Sequence, residues 1–291
     1  MGDPLTDPIL QELATPLGLP GSGRRRYGAA MALHRRGEIS AAVLEAYRIA
    51  SALDTQDPAQ ILAAEGLAVP ALPTPDAASA IRSLVDEADI YLATLPGPGV
   101  AEVRAGIAQA RGRAVNIPQG GTNPTVAAHL ATALEELRPT HPAMAQAIAA
   151  AAPHLDWITY DAYPRDQIGP AFADGHAFAS LIGAGSPIPA EDFDFGLFLI
   201  APHVLYRDHN HAAPELYAPL TGPHGWRFGP GEPLVVKPAH QPVWNDPFRP
   251  HCTKVGPVPF LCLFGWTRDV NETARVLPAP DWPELEALRL G

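Results

Sequence analysis

Cysteine is scarce in this chain of 291 residues. Cys252 and Cys262 cannot build a disulfide framework, and they lack the Cys-x-x-Cys spacing of a zinc or redox motif. Basic residues are outnumbered, 20 Lys plus Arg against 31 Asp plus Glu, and a formal net charge of −11 disfavours unaided binding to nucleic acid or an anionic membrane. No apolar run reaches the roughly 18 residues needed to cross a bilayer, and Met1-Gly2-Asp3-Pro4 lacks the basic and then apolar segments of a secretory leader. These absences predict a cytoplasmic protein with a small-molecule partner, no nucleic acid and no membrane. With 47% hydrophobic and 18% charged residues, the chain can bury a core.

Aromatics are nearly missing from the first half, where Tyr27, Tyr47 and Tyr91 alone precede Trp157. The composition changes abruptly near residue 153, which predicts a helical N-terminal region over 1–152 and a second region over 153–291. Helical spacing supports the first: Ile39, Val43, Ala46, Ala50 and Leu53 recur on one face, as do Ile81, Leu84, Val85, Ala88 and Leu92. Thr74-Pro75-Asp76 and Asn123-Pro124 each offer a capping side chain near a proline suited to a first helical turn, the second opening a stripe of Val126, Leu130, Leu134 and Leu137. Four or five helices are expected. Arg24-Arg25-Arg26 reads as a solvated surface, and Gly120-Gly121 has no phosphate-loop lysine.

Proline, at 34 residues, is more than twice its usual share of about 5%, which predicts many turns, especially after Pro153. Beyond Phe193 the period becomes two: Phe193, Phe195, Leu197 and Leu199 alternate with Asp194, Gly196, Phe198 and Ile200. Leu234 to Val236 and Phe260 to Phe264 are further short apolar runs bounded by proline or glycine. Several short strands with frequent turns predict an all-β sandwich or barrel, giving an α+β chain.

More than half of the 11 histidines lie after residue 200, two of them in the string from Tyr206 to Tyr217. His209, His211, Glu215 and Tyr217 are all odd-numbered, so an extended chain aims them at one side of a sheet even if Pro214 interrupts it. Two imidazoles and a carboxylate suit a divalent transition metal with positions left open for substrate. Zinc, iron, manganese, cobalt and nickel all accept such ligands. For a fourth ligand, His251 begins a strand-like run to Val255 that a Gly256-Pro257 turn joins to the next strand. It is preferred to His240, in a loop between prolines, and to His224, in a Gly-Pro turn.

The string His209-x-His211-x3-Glu215-x-Tyr217-x4-Gly222 resembles the first metal motif of the cupins, and its Glu-x-Tyr element resembles the dimethylsulfoniopropionate (DMSP) lyases among them. Pro250-His251 and the strand ending Phe264-Gly265-Trp266 are similar to the second motif of that family. The resemblance covers about Pro153 to Val276 and implies a cupin barrel, a double-stranded β-helix, over 153–291 holding one divalent metal on His209, His211, Glu215 and His251. It also implies a carbon–sulfur lyase that removes a proton next to the substrate carboxylate and expels dimethyl sulfide, leaving acrylate. Tyr217 then fits as general base, since a phenol with an ordinary pKa of about 10 needs a nearby cation to ionise near neutrality.

Tyr206 resembles a second tyrosine of some of these lyases, a candidate base or substrate anchor. Being even-numbered, it reaches the site only if the chain bulges at Arg207-Asp208. The sulfonium would be held by aromatic faces, Trp266 first and Trp244 second, because cation–π attraction needs no hydrogen bond. Two alternatives use the same residues differently. Another cupin metalloenzyme, a dioxygenase or isomerase of a small carboxylic acid, would not need Tyr217. A non-catalytic cupin would bind a small ligand and signal through the helical half, which could equally be a lid, a stabilising cap or the contact surface of a homodimer.

Overall fold

The computed structural model describes residues 8–70 and 76–291. Two compact units emerge: 1–76 with 138–146, and 77–137 with 147–291. The change in composition near 153 coincides with the end of the long helices, whereas the compact units divide elsewhere.

The smaller unit contains α1 (Pro8–Leu13), α2 (Ser22–Arg35), α3 (Ala41–Ala50) and α4 (Pro58–Ala64). Leu33, Val43, Ala46 and Leu62 form its core. Ser40 caps α3 by accepting from the Val43 N–H at 3.2 Å, and Asp57 caps α4 by accepting from Ala59 at 2.8 Å. Because α3 ends at Ala50, Leu53 falls off the predicted stripe and is exposed. Arg26 is buried and clamps the carbonyls of Thr15, Pro16 and Asp54, so the basic run is only partly the solvated surface expected of it.

The larger unit begins with α5 (Ala77–Leu92), α6 (Val100–Ala110) and α7 (Pro124–Leu137), and α8 (Pro142–Ala151) straddles the division. The expected α5 face is buried throughout, and Asn123 caps α7 by accepting from the Thr125 N–H at 2.9 Å. Thr74 and Pro75 lie outside the described residues. Eight α-helices precede residue 152 among the described residues, not four or five, because short helices separated by Gly and Pro escape a periodicity reading that needs about 11 residues.

After the short helices α9 (Arg165–Ile168) and α10 (Pro170–Asp174) the chain is β-rich. One sheet orders β2 (Ile188–Pro189), β1 (His176–Gly183), β3 (Asp194–Ile200), β10 (Phe260–Trp266), β5 (Glu215–Pro219) and β8 (Val243–Asn245). The other orders β11 (Arg275–Val276), β4 (Leu205–Asn210), β9 (His251–Val255), β6 (His224–Arg227) and β7 (Val235–Lys237). Phe198, Tyr217 and Phe264 of the first sheet share a buried cluster with Tyr206, Trp226 and Val255 of the second. On the outer side of the first sheet, α6 packs so closely that a Cβ on Gly265 would lie 2.7 Å from Val103, and one on Gly106 would lie 2.2 Å from Phe193. Gly265 and Trp266 are consecutive in β10, so this close approach fixes the strand that carries Trp266. α11 (Trp282–Ala287) lies against β4.

Candidate metal centre and active site

The histidine string does not act as one extended strand. His209 belongs to β4 in the second sheet, Glu215 and Tyr217 belong to β5 in the first, and 211–214 form the crossing between them. Alternation correctly aligns Glu215 with Tyr217, but His209 joins them because the chain changes sheets across the interior. His251 opens β9, where its Cα pairs with that of His209.

A break in β4–β9 register falls between Tyr206 and His209. Arg207 and Asp208 both point away from the interior: Arg207 bonds Glu286 and lies over the Trp282 ring at 4.5 Å, while Asp208 bonds Arg227 and Trp282 Nε1. Two successive outward side chains let Tyr206 and His209 both face inward, which meets the condition set for Tyr206. Their rings stack with centroids 3.8 Å apart. Phe172 stacks on the other face of Tyr206 at 3.9 Å and on His176 at 4.0 Å, giving a continuous column from His176 to His209.

His209, His211 and His251 are all buried, and one ring nitrogen from each lies within 4.8 Å of the others. Their Nδ1 atoms face the carbonyls of Arg207, Ala213 and Arg249 at 2.8, 2.8 and 2.9 Å. Those contacts at Nδ1 orient each ring so that its Nε2 turns toward the cluster. The Nε2 atoms of His209 and His251 are buried without a hydrogen-bond partner. Glu215 Oε2 lies 3.0 Å from His211 Nε2 and 3.3 Å from His251 Nε2, the latter without hydrogen-bond geometry, and Oε1 accepts from Trp266 Nε1 at 2.7 Å. Three imidazole nitrogens and a carboxylate oxygen converging in this way fit a divalent metal, and orphaned buried nitrogens are costly otherwise.

A cavity of about 210 Å³ opens beside this cluster, lined largely by aromatics and by Glu215, Asp194 and His176. Burial alone would raise the Glu215 carboxyl, but His211 and His251 overcome it and hold it well below the usual carboxylate range. Burial, reinforced by His251 and His211, pushes His209 far down. Tyr217 is driven well above an ordinary phenol by burial and then by the Glu215 carboxylate; Tyr206 is raised by burial and by Tyr163. Without an added cation both tyrosines therefore keep their protons.

Among the residues expected from sequence, His209, His211, Glu215 and His251 converge, and Tyr206, Tyr217 and Trp266 line the adjoining cavity. Trp244 does not line it. It pairs with Leu216, whose side chain points opposite to Glu215 and Tyr217, and its indole packs against Gly99. The competing histidines are committed elsewhere: His240 contacts the Tyr91 hydroxyl at 3.0 Å, and His224 lies in β6 accepting from Trp226 Nε1 at 2.7 Å. Cys252 and Cys262 are buried and free. Sequence reasoning assigned no role to Tyr163, whose hydroxyl bonds that of Tyr206 at 2.9 Å, or to His176 and Asp194 in the cavity wall. Only Asp194 carried a usable signal, a charge in phase with the inward Phe198.

Residues 101–262, more than half of the chain, match the family model described as dimethylsulfoniopropionate lyase. The dimethylsulfoniopropionate lyase DddQ of Ruegeria pomeroyi is 29% identical over 119 residues, 41% of this chain and 58% of that protein, so the chain matches less than two thirds of that relative's length. A protein named putative dimethylsulfoniopropionate lyase DddL, of Cereibacter sphaeroides, is 28% identical over 167 residues, 55% of this chain and 68% of its own. The crystal structure of the Ruegeria pomeroyi DMSP lyase DddQ superposes with a TM-score of 0.51 at 22% identity, over 68% of this chain and 95% of that one, a likeness of fold. The chain thus has the α+β cupin architecture that its sequence predicts, and it belongs to the dimethylsulfoniopropionate lyase family, a family of carbon–sulfur lyases.

Proposed function

We propose that this chain is a metal-dependent DMSP lyase that cleaves its substrate to dimethyl sulfide and acrylate by β-elimination. The observation that carries the reading is the position of Tyr217, two residues beyond Glu215 on the same strand face and in the wall of the cavity that adjoins the histidine cluster. His209, His211, Glu215 and His251 would hold one divalent transition metal, which when bound supplies Lewis-acid polarisation of the substrate carboxylate and a positive charge beside the phenols.

Tyr217 acts as the base. Burial and Glu215 hold its proton on in the protein alone, so it becomes competent only with compensating positive charge, which couples the base to the loaded site. The phenolate takes the proton from the carbon next to the carboxylate, the electron pair of that C–H bond forms the C=C bond, and the C–S bond breaks with its pair leaving on sulfur. Dimethyl sulfide and acrylate account for all substrate atoms except the proton, which returns from Tyr217 to solvent. Tyr206, stacked on His209 and bonded to Tyr163, positions the substrate beside that base. Trp266 presents an indole to the cavity while its Nε1 anchors Glu215, so one residue joins the aromatic wall to the ligand set.

The experiment is dimethyl sulfide release from DMSP by protein of measured metal content, before and after chelation and after reloading with Mn²⁺, Fe²⁺ or Zn²⁺. Release that disappears on chelation and returns on reloading is the expected result. A metal-replete protein that releases none would turn the site toward another small carboxylate.

A further inference from the structure

Among the described residues, the carboxylate of Asp194 has no cationic partner. Asp194 opens β3 on the strand face that also presents Phe198 to the interior, and it lines the same cavity as Tyr217 and Trp266. Its contacts are the Ser180 hydroxyl and the Phe195 N–H, and Oδ1 is sealed from solvent without any hydrogen-bond partner. No Lys or Arg lines the cavity, and Asp194 forms no ion pair among the described residues. Glu215, the other cavity carboxylate, is by contrast engaged by His211, His251 and Trp266. An unpaired carboxylate set into an apolar wall is destabilising unless it is protonated or something positive arrives.

The register shows what would arrive and in which orientation. Glu215 pairs with Trp266, and Trp266 pairs with Asp194, so the three occupy one row across β5, β10 and β3. Two strand spacings separate the outer members, about 10 Å between backbones. The row therefore runs from the histidine cluster, past the Trp266 indole, to the Asp194 carboxylate, which has no cation beside it among the described residues. Such a row complements a short zwitterion whose carboxylate lies at the histidine end and whose onium group, which offers no hydrogen bond, lies between an aromatic face and a negative charge.

We propose that Asp194 supplies the counter-charge for the cationic end of the substrate and so restricts the site to β-onium carboxylates, the class of dimethylsulfonio and trimethylammonio propionates. This inference rests on the reading of the cavity as the substrate site of a lyase. It gives Asp194 a role in specificity and none in proton transfer, which belongs to Tyr217. Burial of Asp194 raises its pKa to about 6, the direction expected of a carboxylate waiting for a cation.

The test compares two isosteric probes by calorimetric titration of metal-replete protein: 3-(trimethylammonio)propanoate, and 4,4-dimethylpentanoate, in which carbon replaces the charged nitrogen. Wild-type protein should prefer the cationic probe. Asp194→Asn should reduce that preference about tenfold, leave affinity for the neutral probe within about twofold, and regain the preference as Asp194→Glu, since tenfold is the scale of one charge contact. A preference unchanged in Asp194→Asn would overturn the proposal, as would equal loss of both probes, because a charge-specific role spares the neutral one. No preference in wild-type protein would also overturn it, whatever becomes of DMSP. If wild-type protein releases no dimethyl sulfide but Asp194→Asn still abolishes the preference, the lyase reading fails and the role of Asp194 stands.

Discussion

Tyr206 lies face to face with His209, ring centroids 3.8 Å apart, although three residues of a β-strand should place the two on opposite sides of the sheet. The bulge at Arg207 and Asp208 produces this relationship, and it is held from outside by the buried ion pair of Asp208 with Arg227 and by Trp282 Nε1 on Asp208 at 2.8 Å. From the inside, the Tyr163 hydroxyl meets that of Tyr206 at 2.9 Å.

Tyr163 therefore acts through Tyr206. Tyr206→Phe should lower kcat/KM for DMSP about tenfold or more, Tyr163→Phe by less, and the double variant should be no worse than Tyr206→Phe alone, since residues acting as a unit are non-additive. Steady-state kinetics on the three variants check this. Multiplying losses would show that Tyr163 has a separate role.

His176 sets an acid limit on stability. It is buried, with Nε2 accepting from the Tyr160 N–H at 3.0 Å and Nδ1 against the Phe172 carbonyl at 2.6 Å, so it is held as the neutral tautomer. Burial depresses its pKa to about 4 from the ordinary 6.5, while the unfolded chain binds the proton at 6.5. The resulting stabilisation is complete above pH 6.5 and is lost as pH falls toward 4, a contribution of about 3 kcal/mol. Denaturant melts of metal-free protein should lose stability across that window, and His176→Gln should make the loss shallower by its own share, the buried His224 and His209 carrying the rest, while lowering stability at pH 7.5. An equally steep decline in the variant would assign the acid sensitivity to other groups.

The two tryptophans separate by position. Trp266 faces the cavity and holds Glu215, so Trp266→Leu should raise KM for DMSP and weaken metal retention. Trp244 packs on Gly99, so Trp244→Phe should lower the melting temperature with KM unchanged. An increase in KM for Trp244→Phe as large as that for Trp266→Leu would mean that the outer face reports on substrate after all.

The contrast between those residues shows what the sequence carries. The ligand types, their spacing and the short strands after Phe193 were legible because local patterning records them, and Glu215 with Tyr217 followed from strand alternation. The sheet change between His209 and Glu215 was not legible, because parity gives the same answer for one strand and for two that face each other. Tyr206 needed a bulge whose cause lies far away in sequence, at Arg227 and Trp282. The position of Trp244 outside the cavity was not legible, because local sequence does not tell which face of a three-residue strand turns inward. Tyr163, His176 and Asp194 enter the wall only when the elements assemble, so their roles are tertiary facts. Eight α-helices before residue 152 among the described residues, instead of four or five, reflect the same limit, since packing lets segments as short as six residues stay helical.

The central claim is that Tyr217 removes the proton. The most direct measurement is dimethyl sulfide release from DMSP by wild-type protein and Tyr217→Phe, loaded with the same metal to the same stoichiometry. The account predicts that Tyr217→Phe keeps its metal and its affinity for 3-(trimethylammonio)propanoate while turnover falls about 10²- to 10⁴-fold, the usual contribution of a general base. Turnover within about threefold of wild type at equal metal content would contradict it, because so small a loss lies well below what removal of a general base produces.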